Sequence, residues 1–325
     1  MAPLNFIRQP FFWVIVAVTA AFVALPLWHY DVGWRESLVL AAVYIILASN
    51  LNLMIGYAGY VNFGSIVFFG LGGYIGVSLI TDYGWPPALA ALAAGLVVSA
   101  LALVLGLGIL RLHGFYFALA TIGVNQAVQA FVSNFKPWGG ASGIYISISA
   151  YQVLGGPRQA LWTIYFLLVG VMALSLLLSY GIKTSKFGLG LLAIGQNESA
   201  ASVLGVPTPL YKALAYSISA FLPAVAGCLY FFKSAFVQPV DAFDLGFSTE
   251  AVVMVMLGGQ GTIAGPVIGA FLYEELRGWL LTSATFSSFQ LVIAGAILLI
   301  IVTFAPGGLM GLLRRLWPKT RKILE

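Results

Sequence analysis

TEAVVMVMLGGQGTIAGPVIGAFLY, residues 249–273, consists of two apolar arms joined by a glycine-rich break. The arms are residues 249–257 and 263–273, and the break is Gly258, Gly259, Gln260, Gly261 and Thr262. At about 1.5 Å per residue, each arm covers about half of a roughly 30 Å hydrocarbon layer. Two arrangements fit: a re-entrant pair of half-helices that enters and leaves on one side, or one kinked span whose glycines allow close helix packing.

The surrounding chain sets the environment. With 61% hydrophobic residues, 8% charged residues and a mean hydropathy of +1.00 over 325 residues, a water-facing globule is excluded. Apolar runs at 11–28, 38–55, 60–80, 87–110, 115–132, 161–180, 210–232 and 289–304 have the length of membrane-crossing helices. The expected fold is an all-α polytopic membrane protein, with about eight full transmembrane helices plus the re-entrant half-helix pair. The first run lacks a small-residue cleavage site and reads as a retained span.

Charge orients the bundle. A cytoplasmic N-terminus places Arg8, Arg111, Lys183, Lys186, Lys212, Arg314, Arg315, Lys319, Arg321 and Lys322 inside, and Asp31, Glu36, Asp82, Asp241 and Asp244 outside. Both termini are then cytoplasmic. Residues 247–273 must begin and end on the outer side, which favours the re-entrant arrangement and points to a conduit at Gly258, Gly259 and Gly261.

Several chemistries are excluded. No G-x-x-x-x-G-K-[ST] occurs, so a P-loop for ATP is absent, and GLGGYIG at 70–76 lacks the spacing and strand-to-helix setting of a dinucleotide site. His29 and His113 stand apart from any zinc or triad spacing and are expected as interfacial or packing residues, so no catalytic or metal site is expected. Cys228 is alone within an apolar run and is expected as a small core residue.

Polar groups inside apolar runs need partners, because an unpaired amide in hydrocarbon costs several kcal/mol. Asn52, Asn62 and Ser65, together with Asn125, Gln126 and Gln129, are expected either to line a hydrated path or to glue helices. Glu250 is expected either on the path or at the outer interface, Gln260 and Thr262 belong with the break, and Glu274, Glu275 and Arg277 are expected to form a solvated rim. The loop at 136–147, KPWGGASGIYIS, is long enough to touch an external partner or serves only as a connector.

SKFGLGLLAIGQNESAASVLGVP at 185–207 is a helix-prone polar insert between two apolar runs. Glu198, Ala200, Ala201 and Gly205 put small side chains on a short amphipathic helix ending at a glycine, a surface that another protein's cleft can approach closely.

Four blocks carry a family resemblance over most of the chain: GYAGYVNFG from Gly56; LRLHGFYFALATIG from Leu110; the insert continuing into LYKALAYSISAFLPAVAGCLY; and VVMVMLGGQGTIAGPVIGA from Val252 with FAPGGLMGLL from Phe304. The chain resembles permease subunits of the branched-chain amino acid ATP-binding cassette importers, specifically the M-type partner. The resemblance implies a single transmembrane permease domain over 1–325, with a cytoplasmic coupling loop at 182–208 and a basic cytoplasmic tail at 307–325. It also implies a sister permease, two cytoplasmic ATPases that bind ATP and Mg, a soluble periplasmic or extracellular substrate-binding protein, and residence in a bacterial inner membrane. Glu198, Ala200, Ala201 and Gly205 would take the contact to the ATPase. The family loop reads E-A-A-x-x-x-G, whereas here Ser199 separates Glu198 from the alanines.

The expected function is import of branched-chain amino acids by alternating access, with hydrolysis left to the partners. Urea, short amides or other amino acids are the alternative cargo. A secondary transporter would require coupling charges in repeated halves, and a non-transporting subunit would require no polar path.

Overall fold

The computed structural model describes residues 10–28, 32–282, isolated positions between 292 and 303, and 307–316. The span expected at 289–304 lies outside these residues except for the isolated helical positions. So do Arg8, His29, Asp31, Lys319, Arg321 and Lys322.

The chain is helical and crosses back and forth. Helices α1 (Pro10–Trp28), α2 (Val32–Asn52), α3 (Ile66–Tyr83), α4 (Pro87–Ile109) and α5 (Phe115–Asn134) lead to a looped segment with strand β1 (Ile144–Tyr145). Helix α6 (Pro157–Lys183) follows, then the short α7 (Lys186–Gln196) and α8 (Glu198–Val203), and the long α9 (Thr208–Ser234). Strand β2 (Phe236–Val237), α10 (Pro239–Ala242), α11 (Leu245–Gly258), α12 (Ala264–Thr282) and α13 (Gly308–Leu316) complete the described chain. Among the described residues, α2 to α6 and α9 are six helices long and apolar enough to cross a membrane, with α1 a shorter apolar helix.

Side-chain size is sorted as lipid solvation demands. Along α4 the buried positions are Ala90, Ala91, Ala94, Gly95, Val98, Ala102 and Gly106, while Leu96 and Val104 are 65% and 69% exposed. Between helices in lipid the gain comes from close approach rather than from hiding apolar surface, so small residues face inward. Helix α9 packs most extensively on α4 and α3. A Cβ at Gly72 would stand 2.1 Å from the Ala224 carbonyl oxygen, and one at Gly227 1.9 Å from that of Phe69, so these helices meet backbone to backbone. Cys228 is fully buried there, as expected.

The expected span at 60–80 begins later, at Ile66. Helix α2 ends in a π-turn, Leu53–Tyr57, and Gly59 takes φ +75°. The Asn62 Oδ1 accepts from the Gly64 N–H at 3.0 Å, closing a side-chain turn in place of helix. Residues 58–65 are therefore irregular and supported by protein around them.

Residues 245–282 form a hairpin. A Cβ at Gly258 would strike the Gly265 carbonyl oxygen, and one at Gly269 that of Met254, so α11 and α12 run antiparallel in direct contact and return to the side of entry. This geometry is an antiparallel hairpin, not a single kinked span. The first arm starts earlier than expected, where Asp244 accepts from the Gly246 N–H at 2.9 Å and caps α11. The second arm is longer, 19 residues or about 28 Å, because the helix runs on through Glu274, Glu275 and Arg277.

The elements distribute over two faces. The hairpin tip, the end of α2, α7–α8 and α13 share one: Gly195 abuts the Tyr57 carbonyl, and Gly259 abuts Gly307 and Met310. The opposite face carries the loop from 136, pinned where β1 pairs antiparallel with β2, and the Lys233–Glu36 ion pair.

Candidate functional site

Three centres gather the residues singled out by sequence. The first is the α7–α8 insert. Asn197 caps α8 by accepting from the Ala200 N–H at 3.0 Å, and Gly205, at φ +88°, ends it with the Val206 N–H bonded to the Ala201 carbonyl. Ala200 is exposed, but Ala201 is buried and Glu198 turns inward. The Glu198 carboxylate accepts from Lys212 Nζ at 2.6 Å and the Tyr60 hydroxyl at 2.7 Å, with His113 Nε2 3.3 Å away. Burial pushes this carboxyl up, but the hydrogen bonds from Lys212 and Tyr60, with the charges of Lys212 and His113, outweigh it and hold the group below its ordinary range.

Lys212, assigned above only to the orientation charge, is 3% exposed and spends all three N–H groups, on Glu198, Tyr60 and the Leu110 carbonyl. His113, expected as an interfacial or packing residue, is 66% exposed beside the Glu198 carboxylate. The outward surface of the insert is instead apolar: Val203 and Leu204 are 87% and 82% exposed at the tip of α8. Sequence reading passed over both, although large aliphatic side chains in a polar insert were the available signal.

The second centre is the hairpin tip. Asn52 accepts from the Gly261 N–H at 2.9 Å and donates to the Thr262 carbonyl at 2.8 Å, so one buried amide satisfies both sides of the break. The Thr262 hydroxyl donates to the Gly259 carbonyl at 2.7 Å and accepts from the Gly265 N–H at 3.0 Å. Gly258, Gly259 and Gly261 serve close packing and positive-φ backbone at this joint. Gln260 alone in the break is exposed, and it lines a cavity of about 450 Å³ with Tyr57, Gly195 and Gln196, beside α7.

Three of the remaining polar residues meet partners on other elements. Ser65 lies 3.2 Å from Ser248, Asn125 donates to the Phe243 carbonyl at 2.8 Å, and Gln129 donates to that of Pro239 at 3.4 Å. Asn125 and Gln129 share a face, while Gln126 is exposed on another.

The third centre surrounds Glu250, which is buried beside Tyr44 of α2. The Tyr44 hydroxyl donates to Glu250 Oε2 in a short hydrogen bond, Arg277 Nε lies 3.9 Å from Oε1, and the guanidinium sits 6.0 Å over the Tyr44 ring. Arg277 and Glu274, expected in a solvated rim, are partly buried and 3.7 Å apart; Glu275 is exposed. Among the described residues no group of three metal-ligating side chains forms.

The family model described as branched-chain amino acid transport system / permease component matches residues 35–302. The chain belongs to this permease family. This permease is 26% identical over 333 residues to the high-affinity branched-chain amino acid transport system permease protein LivM of Escherichia coli, an alignment covering 95% of the chain and 76% of LivM. It is 23% identical to LivH of the same organism, over 85% of the chain and 94% of LivH, and 29% identical to the ribose import permease RbsC of Bacillus subtilis, over 65% and 71%. As a permease it is a multi-pass membrane subunit of a transport complex, and the tip of α8 exposes apolar Val203 and Leu204 outside the spanning helices.

Proposed function

We propose that this permease imports branched aliphatic amino acids into the cytoplasm of a bacterium, driven by ATP that partner subunits bind with Mg and hydrolyse. The observation that carries this reading is the capped, apolar-tipped helix α8. It stands off the bundle on the face shared with the hairpin tip, and its root is locked through Glu198 to α9 and to the Tyr60 turn. A soluble motor gripping Val203, Leu204 and Ala200 moves a lever whose other end is the irregular backbone beside the hairpin. The names of LivM and LivH support the cargo.

In this reading the α8 face and both termini are cytoplasmic, in the inner membrane. A sister permease, two ATP-binding cassette subunits and a substrate-binding protein on the outer side complete the machine. This chain performs no covalent chemistry; it alternates between outward-open and inward-open states. Glu250 and Gln260, expected path residues that each line a cavity, mark opposite ends of the passage.

The test is reconstitution of the complete transporter in proteoliposomes. ATP-dependent accumulation of leucine, competed by isoleucine and valine but not by ribose or urea, is the expected result. Vectorial uptake by the purified chain without an ATPase overturns the reading.

A further inference from the structure

Resting on the amino-acid importer reading, we propose that Glu250 and Arg277 form a station for the zwitterionic head of an α-amino acid, Arg277 taking the carboxylate and Glu250 the ammonium. Three observations converge. Glu250 is buried and Arg277 partly buried, and both line a cavity of about 440 Å³ that runs past Phe247 and Leu245 to exposed Asp244, on the face opposite α8. That volume falls within the range of small-molecule sites. Its walls combine Arg277 and Glu250, with a second acid, Asp244, at the mouth, and apolar Leu245 and Phe247, which matches a zwitterion bearing an aliphatic side chain.

The pair is also held open. Arg277 Nε is 3.9 Å from Glu250 Oε1, beyond hydrogen-bond range, and among the described residues this buried N–H has no hydrogen-bond acceptor. A closed structural bridge would instead set guanidinium and carboxylate in direct contact. Tyr44 holds the far oxygen of Glu250 and lies under the guanidinium, so both groups are fixed with the gap between them.

Energetics favour this arrangement for a passing solute. A zwitterion needs both signs of charge at once, and a buried charge without a partner costs several kcal/mol. Each head group finds its complement as it enters, and the pair screens itself again when the solute leaves. Charges at this depth are otherwise costly to maintain.

The experiment labels Thr249→Cys, at the cavity wall, in the complete transporter in lipid vesicles with a methanethiosulfonate reagent, read by mass spectrometry of this chain. Native Cys228 is fully buried. Millimolar leucine is expected to slow labelling severalfold. Neither 3-methylbutylamine, which lacks the carboxylate, nor 4-methylpentanoate, which lacks the ammonium, is expected to slow it. Adding Arg277→Gln is expected to abolish protection, and in uptake to raise the leucine KM about tenfold or more, as expected for loss of a charge-assisted hydrogen bond. Thr249→Trp, which fills the cavity and leaves both charged residues in the sequence, is expected to block uptake in an assembled complex. Equal protection by all three compounds, or leucine uptake by the parent transporter without protection, overturns the station alone. Neither uptake nor protection overturns the importer reading with it.

Discussion

Lys212→Met tests whether α8 is anchored as described. The Lys212 ammonium makes hydrogen bonds of 2.6, 2.8 and 3.0 Å to Glu198, Leu110 and Tyr60. Hydrogen bonds to charged groups are worth roughly 1.5–3 kcal/mol each, and removing one partner of a buried pair costs about 3–5 kcal/mol. Glu198 is 24% exposed and can rehydrate, so the loss falls on the low side, about 2–3 kcal/mol. The loss is local, because Glu198 opens α8 while Lys212 sits on the bundle. Amide exchange at Ala201, Leu204 and Val206, whose N–H groups bond to Asn197, Ala200 and Ala201, reports the opening of that helix directly. At a factor of ten per 1.4 kcal/mol, exchange there should accelerate about 30- to 150-fold, with α3 and α4 unchanged. Substrate-stimulated ATPase activity should fall relative to basal activity, since the lever is detached and not removed. Glu198→Gln, which keeps the shape and loses the charge, should give a smaller acceleration in the same amides. Unchanged exchange over 198–206 in a folded Lys212→Met protein refutes the anchor.

Other outcomes follow from the same geometry. Leu204→Asp and Val203→Asp should leave the thermal stability of this chain unchanged while weakening capture of the ATPase subunit by about 2 kcal/mol, or roughly 30-fold, in a pull-down titration. Asn52→Leu strips the partners of the Gly261 N–H and the Thr262 carbonyl and should lower stability by about 2–4 kcal/mol, read as a drop in Tm in detergent. Gly72→Val drives a side chain into the Ala224 backbone and should prevent folding, whereas Gly108→Ala meets nothing within 4 Å and should be neutral or slightly stabilising. Because the Glu198 carboxyl is held below its ordinary value, its contribution is complete above about pH 4.3 and disappears as pH falls through the lower, folded value. Exchange at α8, after correction for intrinsic rates, should therefore rise under acid conditions as Glu198 takes up its proton.

Much of the fold was legible because hydrocarbon imposes a strong rule. A segment must be long, apolar and internally hydrogen-bonded to cross, and seven of the expected spans appear as helices among the described residues. The hairpin was legible from GGQGT and from the parity of the flanking charges. Its reach was not, because the helix beyond Tyr273 continues through Glu274, Glu275 and Arg277, residues that read as solvated until tertiary contacts supply Glu250 and Tyr44. The turn at 58–65 was hidden in an apolar stretch, and only the Asn62 side chain and Gly59 mark it.

The candidate site divides in the same way. Asn52, Thr262 and Glu250 were visible as polar groups in an apolar setting, but whether such a group lines a passage or locks a joint depends on what stands opposite it. Asn52 stands opposite the hairpin tip, more than two hundred residues away in sequence, and spends both ends of its amide there. Lys212 looked like one more interfacial charge until Glu198, Tyr60 and Leu110 closed around it.

Sequence alone determined that this chain lives in a bilayer, that it carries a broken hairpin near its end, and that a polar insert interrupts the last long spans, because length and polarity are local properties that lipid reads directly. Tertiary structure decided which face of α8 points outward, that Asn52 clasps the break, and that Glu250 and Arg277 share a cavity. Those are relations between distant residues, set by helices brought within contact distance through their glycines and alanines, and no local pattern encodes them.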